Sequence, residues 1–370
     1  MVEFMIYPVS AIMKFWHFLL ASVFGVDPGT AWLLSIVGLV VTVRLIILPT
    51  VWIQMVSGRK GQLLQPKLGA IQEQYEARTD ADAFKWLQEE RKKIHQEHKY
   101  NPAAGCFPIF IQLPMFIGLY QVLLRMARPS EGLDTEHKAI GFLSPQDVAE
   151  FLQVRFLDVP LPAYIAMSDE RLAQLGTTSD LVVGVNSALV LAACAFTAIN
   201  MAFSTWRSYR TMQWDSAVAR VLNRMLATFV VFVPIMLLLS AFTAPLPLAI
   251  MLYWFGGNLW SLVQFTLLTW LLERKMPLTE EFKARRDAAK AAYKLRKKDH
   301  RALGWQIKKL RLKSLFQPQK WSENSQMIKD MKAEATAEQQ EAKRVKKDNA
   351  RLRREATKAR REAKKQGQIE

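Results

Sequence analysis

Five apolar runs, at about residues 31–53, 105–126, 181–203, 225–242 and 248–272, dominate this chain. Each is long enough to cross a bilayer as a helix, which takes about 20 residues at about 1.5 Å each. Within hydrocarbon, backbone polar groups have to be paired inside the segment, and a helix does that. The fold class expected is therefore an all-α membrane protein.

Arg44 lies well inside the first run. A charge at that depth costs about 2.5–3.5 kcal/mol or more, so such residues face protein or a water-filled cavity. The five runs contain no Asp, Glu, Lys or His, so no intramembrane carboxylate neutralises the arginine. A buried arginine without an ion partner has to be solvated by water and neutral polar groups. The plain alternative is a side chain that snorkels to the inner headgroups. Depth opposes it, because Arg44 lies about ten residues, or roughly 15 Å, from the cytoplasmic end of its run. The pattern points to a hydrated, positively charged cavity in the membrane.

The 51% hydrophobic average conceals two unlike parts. From Glu273 to Glu370 there are 30 Lys and Arg against 14 Asp and Glu, a net of +16 out of +17 for the whole chain. A membrane domain thus carries a polybasic appendage. Such a tail suits an anionic partner, either RNA or anionic lipid; a solvated charged helix without a partner is the bland reading. The two cysteines, Cys106 and Cys194, fall in or at apolar runs without metal-ligand or redox spacing, and read as small buried hydrophobes. No Ser/His/Asp, metal-ligand or phosphate-loop constellation occurs, so no enzymatic activity, metal or cofactor is expected. No cleavable leader is expected either, since Glu3 replaces a basic n-region and Lys14 and His17 interrupt the apolar stretch.

Along the chain, residues 1–28 read as an amphipathic helix on the outer membrane surface. Ser10, Lys14 and His17 form a polar stripe, and Phe15, Trp16, Phe18 and Phe24 occupy the rest; a short signal anchor is the rival. Asp27-Pro28-Gly29 ends it. The first transmembrane helix is then placed at 29–54. A helical hairpin follows at 55–104, with helices near 63–78 and 81–97 broken at Thr79-Asp80. The second transmembrane helix is placed at 105–127, an acidic loop at 128–180 and the third helix at 181–204. A link bearing Arg207, Arg210, Arg220 and Arg224 occupies 205–224, and the fourth and fifth helices occupy 225–244 and 245–272. The basic tail, 273–370, reads as helix near 279–312 and 322–365, parted at Pro318. It lacks a sustained apolar a/d seam, so an extended or disordered charged helix is expected in place of a homomeric coiled coil. Pro49, Pro108, Pro114 and Pro234 fall inside or at the ends of spans, where they kink helices and free carbonyls.

Lys and Arg crowd the hairpin, the link and the tail, whereas 128–180 holds four basic residues against nine acidic ones. The positive-inside rule places the first three in the cytoplasm and the acidic loop outside, with the N-terminus. Five spans satisfy all these assignments together, and one missed span would invert the later loops.

Four blocks then occur in order. They are V-R-L-I-I-L-P at 43–49, Q-P-K-L-G-A-I-Q-E-Q-Y at 65–75, N-P-A-A-G-C-F-P-I-F-I-Q-L-P-M-F-I-G-L-Y at 101–120, and L-Y-W-F-G-G-N-L-W-S-L-V-Q at 252–264. Together they resemble the YidC-type membrane protein insertases (the YidC/Oxa/Alb family) over roughly residues 7–272; the tail carries no specific motif. The resemblance implies a five-helix core around a groove open to the cytoplasm and sideways to lipid, and closed on the outer side. It implies insertion of membrane proteins, alone or with the Sec translocon, without nucleotide hydrolysis. The groove arginine maps onto Arg44, and its polar partners onto Gln112, Asn200 and Trp254, joined by Tyr253 and Asn258 of the fourth block. Asn200 is matched by position in its span only. The implied partners are nascent membrane proteins, the Sec translocon and, for the tail, the ribosome or anionic lipids, but not DNA. The implied location is a bacterial cell membrane.

The chain departs from the family pattern in three places. Gly257-Asn258 stands where Asn-Asn is usual, the 128–180 loop is long, and neither a lipoprotein-type Cys nor a large periplasmic domain precedes the core. The last point fits a Gram-positive, actinobacterial-like member. Two other classes compete. A secondary transporter would show an internal repeat and intramembrane acids, and neither is found. A membrane anchor for a nucleic-acid-binding tail would explain the tail but not Arg44 or the 101–120 block.

Overall fold

The computed structural model describes residues 3–105, 107–127 and 137–365. The elements are α1 (Ile6–Phe18), α2 (Pro28–Leu63), α3 (Gln65–Ala77), α4 (Ala83–Glu97), α5 (Phe107–Ala127), α6 (Pro145–Gln153), β1 (Arg155–Phe156), β2 (Val159–Pro160), α7 (Asp169–Gln174), α8 (Ser179–Arg210), α9 (Ala217–Thr243), α10 (Leu248–Lys275), α11 (Glu280–Phe316) and α12 (Trp321–Lys365). The protein is all-α, with one two-residue antiparallel ladder among the described residues. Two compact units divide it: Met1–Gly58, Pro102–Met212 and Val218–Pro277 form one; Arg59–Asn101, Gln213–Ala217 and Leu278–Glu370 form the other. Cys106 and residues 128–136 lie outside the described residues.

In the first unit α2 is the spine. Asp27 starts it: its carboxylate accepts from the Thr30 N–H at 3.1 Å, and Pro28 takes the first position, where a missing N–H costs nothing. The helix passes Pro49 without a break. Its buried side chains, Trp32, Ile36, Leu39, Val43, Ile47, Val51 and Met55, recur every three or four residues and form one stripe. That stripe packs with Ile6, Val9 and Met13 of α1 and Leu119, Val122, Leu123 and Met126 of α5 in a single apolar core.

Three glycines receive the N-terminal segment. A Cβ on Gly38 would sit 2.5 Å from the Trp16 ring, and one on Gly118 would sit 2.5 Å from Met5 Cβ. Gly141, at φ 60, makes room for Ser10. Trp16 Nε1 then donates to Thr42 Oγ1 at 2.8 Å.

Within the stretch read as an acidic loop, residues 137–178 form a packed lobe. Phe151, Leu161, Ala163 and Leu143 are fully buried. Ser144 and Asp147 form a reciprocal capping box on α6. Arg155 closes the lobe, donating to the carbonyls of Asp158 (3.0 Å), Gly176 (3.3 Å) and Leu175 (2.8 Å). The lobe also satisfies the start of α10: Leu248 N–H donates to Ala163 O at 3.0 Å and Ala249 N–H to Leu161 O at 3.2 Å. The polar stripe of α1 faces this lobe as well. Ser10 Oγ accepts from Phe142 N–H at 3.0 Å and Lys14 pairs with Asp147 at 3.1 Å, while His17 stacks on Trp32 of α2 with ring centroids 4.0 Å apart.

Helices overrun the expected span ends. Arg207 and Arg210 lie in the last turns of α8 and Arg220 and Arg224 in the first turns of α9, so the expected link at 205–224 shrinks to residues 211–216. Hydropathy marks where lipid ends, and arginine is a good helix former that carries the helix on into water. Among the described residues, five stretches are long and apolar enough to cross a membrane: Glu3–Val23, Pro28–Ala77, Phe110–Ala127, Ser179–Arg210 and Ala217–Thr243. α10, at 28 residues, is also long enough to span.

In the second unit α3 and α4 coincide with the two expected hairpin helices. Arg91 Nη2 donates to Gln72 Oε1 at 2.8 Å between them, and Lys60 Nζ donates to Lys99 O at 3.0 Å at the base. The tail is helical through α11 and α12, parted by a short turn at Pro318–Lys320. It is not an isolated arm: Arg285 donates to Pro66 O at 3.0 Å and pairs with Glu73 at 3.3 Å, and α12 docks on the end of α3.

Candidate functional site

Where α2, α8 and α10 approach one another, their apolar surfaces give way to a polar band. α10 contributes it through Gly256-Gly257-Asn258. Gly257 is buried, and a Cβ there would lie 3.3 Å from Arg44 Nη2. The missing side chain lets Arg44 reach the helix backbone, and Nη2 donates to Gly257 O at 3.2 Å. Ser261 Oγ donates to the same carbonyl at 2.8 Å.

The next residue, Asn258, joins α10 to α8. Its Nδ2 donates to Trp254 O at 3.0 Å, its Oδ1 accepts from Thr197 Oγ1 at 3.1 Å, and its backbone carbonyl accepts from Asn200 Nδ2 at 2.9 Å. Interhelical bonds of this kind hold a helix pair together. Asn258 is thus committed to joining helices, whereas Arg44 and Asn200 are not fully used. Arg44 Nε and Asn200 Oδ1 are buried and have no hydrogen-bond partner among the described residues.

No carboxylate pairs with Arg44 among the described residues. The phenol of Tyr253, on α10, interacts with it electrostatically. Around it, Leu45 and Ile46 point outward and are 51% and 54% exposed, as lipid-facing side chains of a spanning helix would be. The arrangement is a fixed positive charge, half-buried, flanked by amide and hydroxyl groups. It can attract an anionic group, but it holds no base, nucleophile or metal-ligand cluster among the described residues.

Of the residues singled out in the sequence, the structure gathers Arg44, Tyr253, Asn200 and Asn258. Trp254 joins by its backbone carbonyl, while its side chain packs on Val190, Cys194, Ala241 and Met251. Gln112, half-buried on α5, has no hydrogen-bond partner among the described residues and stays outside the bonded cluster. Three members were not foreseen: Gly257, Thr197 and Ser261. The glycine pair was the available signal, since two adjacent glycines inside a helix usually mark a close approach. Cys194 is a buried free thiol, donating to Pro234 O at 3.5 Å, as its position in an apolar run suggests.

Comparison with known proteins identifies the family of the chain. The profile of the family described as 60Kd inner membrane protein matches residues 23–276. The membrane protein insertase YidC of Corynebacterium efficiens is 41% identical over 349 residues, covering 94% of this chain and 88% of the relative. The protein of the same name from Mycobacterium tuberculosis is 30% identical over 298 residues, 78% of each chain. That from Streptomyces avermitilis is 30% identical over 262 residues, 71% of this chain and 56% of the relative. Together with the long apolar helices, these relatives make the chain a multi-pass bacterial membrane protein. Matched across all of α2 to α10, and over nearly its whole length by an actinobacterial relative, the chain belongs to the YidC family of 60Kd inner membrane proteins.

Proposed function

We propose that this chain is a membrane protein insertase that lowers the cost of moving polar segments into the bilayer through a hydrated, cationic groove containing Arg44. The observation that carries the reading is the state of Arg44 among the described residues: one bond to a backbone carbonyl, a buried Nε without a protein partner, and no counter-ion. Leaving such a donor dry costs about 1–3 kcal/mol. Water or a polar group of the substrate therefore has to reach it. The absence of a resident carboxylate keeps the charge available to acidic residues of a passing segment, and no covalent or permanent partner holds them there. Gln112, Asn200 and Tyr253 add neutral polar surface to the path. The apolar part of the substrate then slides into lipid, driven by burial of its surface.

In this reading α2, α5, α8, α9 and α10 span the membrane. α10 brings Asn258 and Ser261 to the groove. α1, apolar enough to span by composition, lies on the outer surface instead, since Ser10 and Lys14 are engaged by the lobe along its length. The lobe lies outside, and the hairpin and tail lie in the cytoplasm. The hairpin receives the nascent chain, the tail tethers the ribosome, and the Sec translocon is a partner for some substrates. The names of the relatives support the insertase reading. The test is reconstitution. Proteoliposomes holding only this chain should insert a single-span substrate with a short acidic outer tail without nucleotide. Insertion no faster than in empty liposomes, with correctly folded protein, would refute it.

A further inference from the structure

α12 is fastened to the hairpin tip at defined atoms. Lys346 pairs with Glu76 at 2.8 Å, and Asn349 Nδ2 donates to Glu76 O at 3.0 Å. Arg353 Nη1 donates to the carbonyls of Tyr75 (2.8 Å) and Arg78 (3.0 Å), and its guanidinium lies 4.4 Å from the Tyr75 ring centroid. Arg360 pairs with Asp82. The accepting carbonyls belong to the end of α3, where helix carbonyls lack internal partners and carry partial negative charge. Arg353 and Asn349 together act as a cap supplied from about 275 residues away in the chain.

Docking leaves a cleft of about 430 Å³ between α12 and the hairpin turn. Tyr75 and Phe84 line it from the hairpin, and Phe84 is 61% exposed. Arg354, Lys358 and Arg361 line it from α12, spaced along one helix face. Asp80 also lines it, but Arg78 holds that carboxylate through two bonds of 2.8 and 3.0 Å. Arg354, Lys358 and Arg361 have no acidic partner among the described residues. Arg353 lines the cleft as well, but its guanidinium is tied to the α3 carbonyls, which leaves three uncommitted cations beside an open aromatic ring.

We propose that the hairpin tip and the docked tail together form a binding cleft for a single-stranded, phosphate-bearing segment of RNA. Phosphates sit on Arg354, Lys358 and Arg361, and a base stacks on Phe84. The proposal rests on the tail-to-ribosome reading for its partner, and it moves the contact from a diffuse basic arm to one place. A membrane surface would also supply phosphates, but the three cations and Phe84 line a cleft and not a flat face, which a single strand can enter and a lipid surface cannot, so RNA fits better than lipid.

The test uses the full chain in nanodiscs of zwitterionic lipid and a fluorescent short oligouridylate, titrated at graded salt, with whole ribosomes in parallel. Arg354→Glu/Lys358→Glu/Arg361→Glu should weaken oligonucleotide binding at least about tenfold and flatten its salt dependence. Lys294→Glu/Lys297→Glu/Lys298→Glu, the same charge change on exposed α11 positions, should weaken it less than about threefold. Phe84→Ala should cost about fivefold or more with an unchanged salt slope, because stacking releases no counterions. Equal losses in the two triple variants, or no loss in Phe84→Ala, would overturn the cleft and leave the tether standing. An unaltered protein that binds neither RNA nor ribosomes but binds anionic vesicles would overturn both.

Discussion

Replacing Arg44 by Ala gives the most quantitative test of what the polar band does. A substrate carboxylate brought within about 4 Å of the guanidinium gains about 4 kcal/mol at an effective dielectric of about 20. Carrying that carboxylate to the middle of a bare bilayer costs about 2.5–3.5 kcal/mol. One arginine is thus enough to offset one acid. Arg44 is half-buried and, in this account, hydrated, so about half of the attraction, or about 2 kcal/mol, is a fair share of the barrier. That share corresponds to roughly a 30-fold change in rate. Arg44→Ala should therefore slow insertion of a substrate with one acidic outer residue about 30-fold, and that of its Asn-for-Asp counterpart less than about threefold. Arg44→Lys should keep most of the activity, because the role is charge and not a bidentate fork. The structural cost of the change is small, since Gly257 O keeps its bond from Ser261. The assay is a protease-protection time course in proteoliposomes, run with the two substrates side by side. Equal slowing of acidic and neutral tails would show that Arg44 holds the fold together instead of guiding charge.

Gly38→Ala should cost about 1–3 kcal/mol, because its Cβ would sit 2.5 Å from the Trp16 ring. A double-mutant cycle on the thermal midpoint in detergent should show the penalty vanish in a Trp16→Ala background, and additivity would contradict the clash. Arg155→Ala removes donors to three carbonyls that close the outer lobe, and should destabilise the lobe by about 1–2 kcal/mol. Faster protease cleavage within 155–178 would report it, and unchanged cleavage would refute it. For Asp147, burial raises the carboxyl pKa, but hydrogen bonds from Ser144 and the Lys14 ion pair outweigh it and hold the group below its ordinary value. Its contribution is therefore present above the unfolded carboxylate pKa of about 3.9 and is lost as pH falls through the lower folded value. Acidification through that range should loosen the lobe from α1, as Asp147→Asn does at neutral pH, and the Asn variant should show a smaller acid effect.

Much of the fold can be read from the chain because hydrocarbon leaves few choices. Apolar windows locate α2, α5, α8, α9 and α10, and Thr79-Asp80 and Pro318 locate the breaks in the hairpin and tail. Helix ends in water are another matter: Arg207 and Arg224 continue helices that hydropathy ends near the membrane surface. The outer lobe is illegible for a different reason. Its partners are remote, Ser10 meeting Phe142 across 132 residues, and its elements are too short to show a period. The Ser144–Asp147 capping box was the local signal that a helix starts there. The stripe of Ser10, Lys14 and His17 is visible in the sequence, but only packing reveals that it faces protein. In the site, the depth of Arg44 is legible and its partner is not, because a backbone carbonyl has no residue signature beyond the glycine that exposes it.

The account stands or falls on whether water reaches the polar band from the cytoplasm. Single cysteines at positions 44, 112 and 200, in a background lacking Cys106 and Cys194, should react with a membrane-impermeant thiol reagent added from the cytoplasmic side. Cysteines at the lipid-facing positions of Leu45 and Ile46, 51% and 54% exposed in the protein alone, should stay unreactive in the bilayer. Labelling at 44 and 200 at rates well above those two controls is the predicted result. Protection of all five positions alike would mean that the band is dry, and the hydrated groove would have to be abandoned.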